Sequence, residues 1–386
     1  MRRARSSRAQ QTRASLERGT PGSHRLLSSL LRSIWGYCKM KILVTGGAGY
    51  LGTVLCAALK QRGHDVIAVD RMFWPPEYLT EIGVTWIQGD VRDWQDEWLE
   101  GVDGVAHLAG LSNDPTAEYN PGANWQMNVV ATERLIEACK RRGVRRFTFA
   151  SSASIYDTEQ SSLEFDHSPV MCDETTEVRP RGAYSVSKYE AERRLLAAVE
   201  DSFLPVILRQ GTVYGYSPRM RFDLVVNTFI KDAVVNRRLF LHGGGWMWRP
   251  LVDATDVARA HIMCLETNER EVGGQIFNVL EENYQIRQLA MLVAGSLMLL
   301  ESPYRVELVE APLPSLIRNY RMSNAKLSRA LGFTPSVTVL QSIQTMLQRL
   351  PLAKPEELTH PRHYNIRWMS ILEETHKLQR GFESIY

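Results

Sequence analysis

The chain has no uninterrupted apolar run of the roughly 18 residues that a membrane-spanning helix requires. Its longest apolar stretch, 289–300, reads as a buried helix, and no membrane association is expected. Cysteine is sparse: Cys38, Cys56, Cys139, Cys172 and Cys264 are odd in number and scattered, with no C-x-x-C pair. That excludes the usual zinc spacing and a disulfide framework, and leaves reduced thiols of a cytoplasmic kind with no metal expected. A strong charge of one sign is lacking too. The formal net charge of the 386 residues is +3, and it is unevenly held. Residues 1–39 carry eight Arg and Lys39 against Glu17 alone, leaving 37 basic and 42 acidic residues for the remainder. The rest is mildly acidic, without a basic face for nucleic acid.

The first 39 residues are too polar to build a core and are expected to form a disordered basic extension. Their Arg- and Ser-rich, acid-poor composition has the flavour of an organelle transit peptide. A start codon upstream of the natural one is the simpler reading, because a strand begins at Lys41 directly after Met40.

From there the order is specific. Lys41-Ile-Leu-Val-Thr45 is a continuous apolar run, as in a strand buried on both faces. Gly46-Gly-Ala-Gly49-Tyr-Leu-Gly52 follows, then a helical pattern over 53–61, then a second apolar strand over 64–70 ending at Asp70. Gly46 suits a tight turn, Gly49 a close backbone approach to a pyrophosphate, and Gly52 close packing of the helix on the strand. The helix N-terminus then offers unpaired N–H groups and a positive dipole end to phosphate. Asp70 suits a ribose 2′-hydroxyl and repels a 2′-phosphate, which points to NAD, although Arg71 beside it could accept that phosphate.

Strands and helices keep alternating. Strands are expected over 84–88, 104–109, 146–150 and 205–209, with helices over 125–142 and 182–199. This predicts a parallel, doubly wound α/β sheet whose loops converge on a cleft beyond the strand C-termini. Residues 40–210 are read as the dinucleotide-binding domain and 211–350 mainly as a substrate lobe interleaved with the sheet. In that lobe 275–279, a helix over 284–300 and 305–309 form a smaller mixed unit, and the tryptophans of Gly243-Gly-Gly-Trp-Met-Trp-Arg249 serve either packing or base stacking. Residues 351–386 form a polar tail that packs on the body or reaches a partner.

Tyr184-Ser-Val-Ser-Lys188 places Tyr184 and Lys188 on one helix face. Lys188 can hold a nicotinamide ribose and lower the phenol's pKa, so that Tyr184 removes a hydroxyl proton as hydride leaves carbon. Ser152, at a strand end, can hydrogen-bond the same substrate oxygen.

With these stretches, Gly89-Asp-Val-Arg-Asp93, His107-Leu-Ala109, Ser151-Ser-Ala-Ser-Ile-Tyr156, Leu208-Arg209, Val213-Tyr-Gly215 and Arg249-Pro-Leu-Val-Asp253, the chain resembles the extended short-chain dehydrogenases/reductases. More narrowly it resembles the NAD-dependent epimerase/dehydratase group acting on nucleotide-diphosphate sugars. The resemblance implies a Rossmann-type fold, Ser152, Tyr184 and Lys188 as catalytic residues, and a cofactor site of Gly46, Gly49, Tyr50, Leu51, Gly52, Asp70, Arg71, Asp90, Val91, Leu108, Ala109, Gly110 and Asn128. Asp90 and Val91 would meet the adenine, and Asn128 would kink its helix beside the active site. Arg249 and Arg318 would take the substrate's diphosphate, Asn227 would lie near its nucleotide, and Ser112, Asn113 and Thr212 would face the sugar. A homodimer through the two helices near 125–142 and Tyr184 is also implied.

The family's 4,6-dehydratases carry an Asp-Glu pair where Ala153 and Ser154 stand, and its decarboxylases a Glu at Ser154, so a 4-epimerase fits better. Thr212 replaces a usual Asn, Asp157 a usual Gly and Pro250 a usual acid, which leaves sugar and nucleotide open. The alternatives are a nucleotide-sugar ketoreductase and a non-catalytic NAD-binding regulator.

Overall fold

Strand β1 (Lys41–Thr45) is buried at four of its five residues, as its unbroken apolar sequence requires of a central strand. In this computed structural model, residues 39–156, 171–300, 304–312 and 318–383 are described. The basic extension, apart from Lys39, and Asp157 lie outside them.

Helix α1 (Tyr50–Gln61) follows β1 and buries Leu55, Cys56 and Leu59 at helical spacing. Strands β2 (Asp65–Asp70), β3 (Thr85–Gln88) and β4 (Gly104–His107) then alternate with short helical turns. The helix expected over 125–142 is three pieces: Pro121–Trp125, a π-helical turn Gln126–Val130, and helix α2 (Ala131–Arg142), ended by Gly143 at φ 70°. Strand β5 (Arg146–Ser152) leads to helix α3 (Ala183–Ala197), and β6 (Leu204–Gln210) and β7 (Ile276–Val279) complete the sheet.

The seven strands run in the order β7-β6-β5-β4-β1-β2-β3, all parallel, β1 pairing with β2 from Lys41↔Asp65 and β5 with β6 from Arg146↔Leu204. The expected doubly wound sheet is present, with its reversal of strand order beside β1. One assignment changes. Residues 275–279 belong to the main sheet rather than the smaller lobe, because Phe277 and Val279 bury themselves with Val206 and Leu208 of β6.

The second lobe holds small sheets: Thr212–Tyr214, Trp248–Asp253 and Glu282–Gln285 form one, Arg238–His242 and Glu307–Ala311 another. Its helix Ile286–Met298 was expected to be buried but is so on one face only: Leu289, Ala290, Val293 and Leu297 are in the core, while Met291 and Met298 are exposed. Residues 351–383 pack on the body, ending in helix Asn365–Glu383, and belong to the same compact unit as the sheet. Cys56, Cys139, Cys172 and Cys264 are free and buried. Among the described residues no helix is long and apolar enough to cross a membrane, and no cluster of His, Cys, Asp or Glu is arranged to hold a metal.

Candidate active site

The turn after β1 begins the site. Gly46 has φ +72° and sends its N–H to Val69 O at 2.8 Å, and a Cβ there would lie 2.9 Å from Ala109 N. A Cβ on Gly52 would lie 2.0 Å from Gly46 O, so this glycine is demanded by the turn folding back on the helix rather than by helix-on-strand packing. Gly49, the N-cap of α1, and Leu51 line the cleft, so free backbone donors at a twelve-residue helix face it. Tyr50 borders it too, but its hydroxyl donates to Gly215 O at 2.7 Å and ties α1 to the second lobe.

At the end of β2, the Asp70 carboxylate accepts from Ala48 N at 3.2 Å and Met72 N at 3.0 Å. Burial pushes its pKa up, against those N–H groups and the charge of Arg219. Arg71 stands 3.3 Å from Asp90 and 4.4 Å over the Phe73 ring. The Asp90 carboxylate is engaged by Arg92 and Arg71, and the cleft wall is made by Gly89 and Val91 beside it. The Asp90 side chain is thus not among those lining the cleft, because the neighbouring arginines engage it.

Ser152, Tyr184 and Lys188 converge on the same cleft, a cavity of about 330 Å³ also lined by Leu108, Ala109 and Gly110. Tyr184 is in the first turn of α3, with Lys188 one turn on. The Lys188 ammonium donates to Ala150 O at 2.9 Å, 4.7 Å over the Phe149 ring, and burial pulls its pKa down to about 8. Burial pushes the Tyr184 phenol up to about 12, opposed by a hydrogen bond with Ser152. The charges that chiefly act on it are Asp114, Arg221 and Arg318 rather than Lys188, whose ammonium is turned to the strand carbonyl. In the protein by itself desolvation therefore outweighs the lysine effect expected from sequence.

Asn128 lies in the π-helical turn, so the irregularity falls where the sequence placed it. Its side chain does not line the cleft. It accepts from Leu111 N at 2.9 Å and donates to Leu111 O, Asn124 and Ser187, clamping the loop after β4 to α3 between Tyr184 and Lys188.

Among the expected substrate residues, Ser112, Asn113, Thr212 and Arg318 line the cleft. Ser112 Oγ accepts from Arg221 at 2.8 Å, and Arg318 is paired with Asp114. Asn227 and Arg249 do not line it. Asn227 is fully buried and holds Gly215 N, Arg221 O and Tyr50 Oη, since amide groups with so many backbone partners are structural ties. Arg249 donates to the carbonyls of Trp248 and Arg318, and so supports Arg318 from behind. The tryptophans of the Gly-rich turn lie outside the cleft, under Arg287 and Arg321.

Residues 42–279 match the family described as NAD dependent epimerase/dehydratase. The chain belongs to the NAD-dependent epimerase/dehydratase family. A UDP-glucose 4-epimerase of Corynebacterium glutamicum is 28% identical over 328 residues, 79% of this chain and 93% of that protein. Among solved structures, MoeE5 in complex with UDP-glucuronic acid and NAD is similar with TM-score 0.69 and 26% identity, over 80% of this chain and 98% of that one. The Thermus thermophilus UDP-glucose 4-epimerase in complex with NAD gives 0.68 and 26%, over 81% and 100%.

In this family member the cleft is also lined by residues the sequence does not point to, among them Trp74, Arg219, Arg221, Asn365 and Met369. No local pattern aims Arg219 and Arg221 at the cleft, and Asn365 and Met369 sit in the tail, where local pattern carries no signal for the site. Arg221 is buried, clamped by Asp223 at 2.8 and 2.9 Å, and reaches Ser112.

Proposed function

We propose that this protein is an NAD-dependent nucleotide-sugar epimerase, acting at C4 through a transient keto-sugar. The observation that carries the reading is the ionisable inventory of the cleft around Ser152, Tyr184 and Lys188. Among the described lining residues the carboxylates are Asp70, engaged by backbone N–H groups, and Asp114, paired with Arg318. Ala153 and Ser154 follow Ser152. Elimination or decarboxylation needs a further free acid or base, whereas epimerisation needs one group that takes and returns a proton at a single oxygen.

The residues present fit a dinucleotide: side chains are excluded at Gly46 and Gly52 by backbone within 3 Å, and an α-helix starts at the turn. When bound, NAD supplies a reversible hydride acceptor. The chain's own residues do the rest. Tyr184 takes the C4 hydroxyl proton and returns it to the same oxygen after the keto-sugar has turned its other face. Ser152 donates to the same oxygen and steadies the charge that develops there. Lys188, close to both Ala150 and Gly110, is available to a ribose hydroxyl. Arg318 and Arg221 offer charge-assisted bonds to the substrate's diphosphate or sugar.

The test is incubation with UDP-, dTDP-, GDP- and CDP-sugars without added cofactor, followed by chromatography with mass detection and absorbance of NADH. Epimerisation yields a product of unchanged mass and altered retention, with no net NADH change. A ketoreductase would oxidise added NADH stoichiometrically. Tyr184→Phe should lower turnover by about 10²–10⁴-fold while NAD still binds; turnover equal to wild type would remove Tyr184 from the catalytic step, and a wild type that binds NAD without turnover would be a non-catalytic binder.

A further inference from the structure

The C-terminal segment crosses the cofactor cleft. On one side two reciprocal indole bonds tie it to the loop after β2: Trp74 Nε1 donates to Arg362 O at 2.8 Å and Trp368 Nε1 to Phe73 O at 2.7 Å. On the other side, Tyr119, at the end of the helix that follows β4, meets Ser370 and Glu373, each at 3.3 Å. Because β2 and β4 flank β1 in the sheet, a segment tied beyond both passes over the glycine turn that follows β1. Asn365 and Met369 are its residues that line the cleft.

Beneath it lies Arg219, 8% exposed, its guanidinium stacked 3.5 Å from the Trp74 ring centroid. Its Nη2 donates to Asn365 Oδ1 at 2.5 Å, while its buried Nε has no hydrogen-bond partner. Among the described residues no carboxylate lies within ion-pair distance of it; Asp70 and Asp223 act on it from further off, and Arg221 repels it. Burial pulls its pKa down to about 9. Its backbone N–H is held by Ser217 Oγ, which in turn donates to Tyr50 O at the first residue of α1. A buried, carboxylate-unpaired guanidinium is costly unless an anion joins it.

We propose that the C-terminal segment from Pro361 is a strap that retains the dinucleotide, and that it holds Arg219 as the counter-charge for the dinucleotide's pyrophosphate. The proposal rests on the dinucleotide reading above. Asn365 steers the guanidinium, Trp74 and Trp368 latch the strap, and the anion arrives from the glycine turn to complete the bonding of Arg219.

The experiment compares the full chain with a chain ending at His360, Trp368→Phe, Asn365→Ala and Arg219→Met. Affinities for ADP and for adenosine are measured by calorimetry, and NAD release is followed by displacement with a fluorescent ADP analogue. Arg219→Met should weaken ADP by roughly ten- to a hundred-fold and leave adenosine within about two-fold, as expected for a lost phosphate contact alone. The shortened chain and Trp368→Phe should release NAD about ten-fold faster or more, with Asn365→Ala between. Trp368→Phe keeps an aromatic side chain and removes the indole donor, so it serves if the shortened chain does not fold. Unchanged NAD release from Trp368→Phe overturns the strap, and equal weakening of ADP and adenosine by Arg219→Met overturns the phosphate contact. A wild-type chain binding neither ADP nor NAD overturns the dinucleotide reading itself, a result distinct from wild-type binding that the variants leave untouched.

Discussion

Glu192→Gln should be among the most damaging single changes outside the cleft. Glu192 stands one turn beyond Lys188 on α3 and is 1% exposed, and Arg209 of β6 grips its carboxylate with bonds of 2.8 and 3.1 Å. Ser151 also donates to that carboxylate. Arg209 continues to Tyr156 Oη at 2.9 Å, which donates to Asn278 of β7 at 2.8 Å. One network thus fastens β5, β6, β7 and the helix carrying Tyr184. Removing the charge of Glu192 leaves a guanidinium that is 3% exposed without its counter-ion, a loss of about 3–5 kcal/mol for a broken buried pair. Arg209→Met leaves the complementary fault, a carboxylate with only Ser151. The double variant Arg209→Met with Glu192→Met removes both charges, so it should be less damaged than the sum of the singles by about 1–3 kcal/mol. Urea unfolding of the three variants and wild type, followed by fluorescence at neutral pH, measures this cycle. Single losses under about 1 kcal/mol, or strict additivity, would mean that water reaches the pair and would refute the reasoning.

Other outcomes follow from single sites. Gly52→Ala puts a methyl 2.0 Å from Gly46 O; it should cost about 1–3 kcal/mol and weaken NAD binding, checked by unfolding and calorimetry together. Lys188 has its pKa lowered to about 8 from 10.5, so between those values the unfolded chain binds more protons, and Lys188's contribution to stability rises with pH there and is most unfavourable below pH 8. Lys188→Met should therefore stabilise the protein by roughly 3 kcal/mol at pH 7, a gain that shrinks toward pH 10; a pH-independent difference in urea titrations would contradict it. Asn113 caps the helix Asp114–Tyr119 by accepting from Thr116 N at 3.1 Å, at φ 74°. Asn113→Ala should cost about 1–2 kcal/mol and Asn113→Gly less, since glycine accepts the backbone angle; equal losses in thermal unfolding would count against that account.

The first βαβ unit was legible because its determinants are local. An apolar run, spaced glycines and a helical pattern each act within a few residues, and the turn at Gly46 and the acid at Asp70 appear where that order puts them. The convergence of Ser152, Tyr184 and Lys188 on one cleft was legible for a related reason: Tyr184 and Lys188 share one helix face, and Ser152 ends a strand whose parallel neighbours bring it to the same edge. The direction of a long side chain was not. Arg249, Asn227 and Asn128 stand near the cleft, but each is turned to a backbone partner that only the folded chain brings close.

Sequence by itself determined the sheet, the glycine turn and the chemistry available at Ser152, Tyr184 and Lys188, because these depend on short-range sterics and on periodicities of two and 3.6 residues. Tertiary structure decided what surrounds that chemistry. Burial sets the Tyr184 phenol at about 12 and Lys188 at about 8. Contacts across nearly 300 residues, such as Trp368 to Phe73, bring a polar tail over the cleft. Desolvation and long-range pairing belong to the three-dimensional surroundings of a group, and no local pattern encodes them.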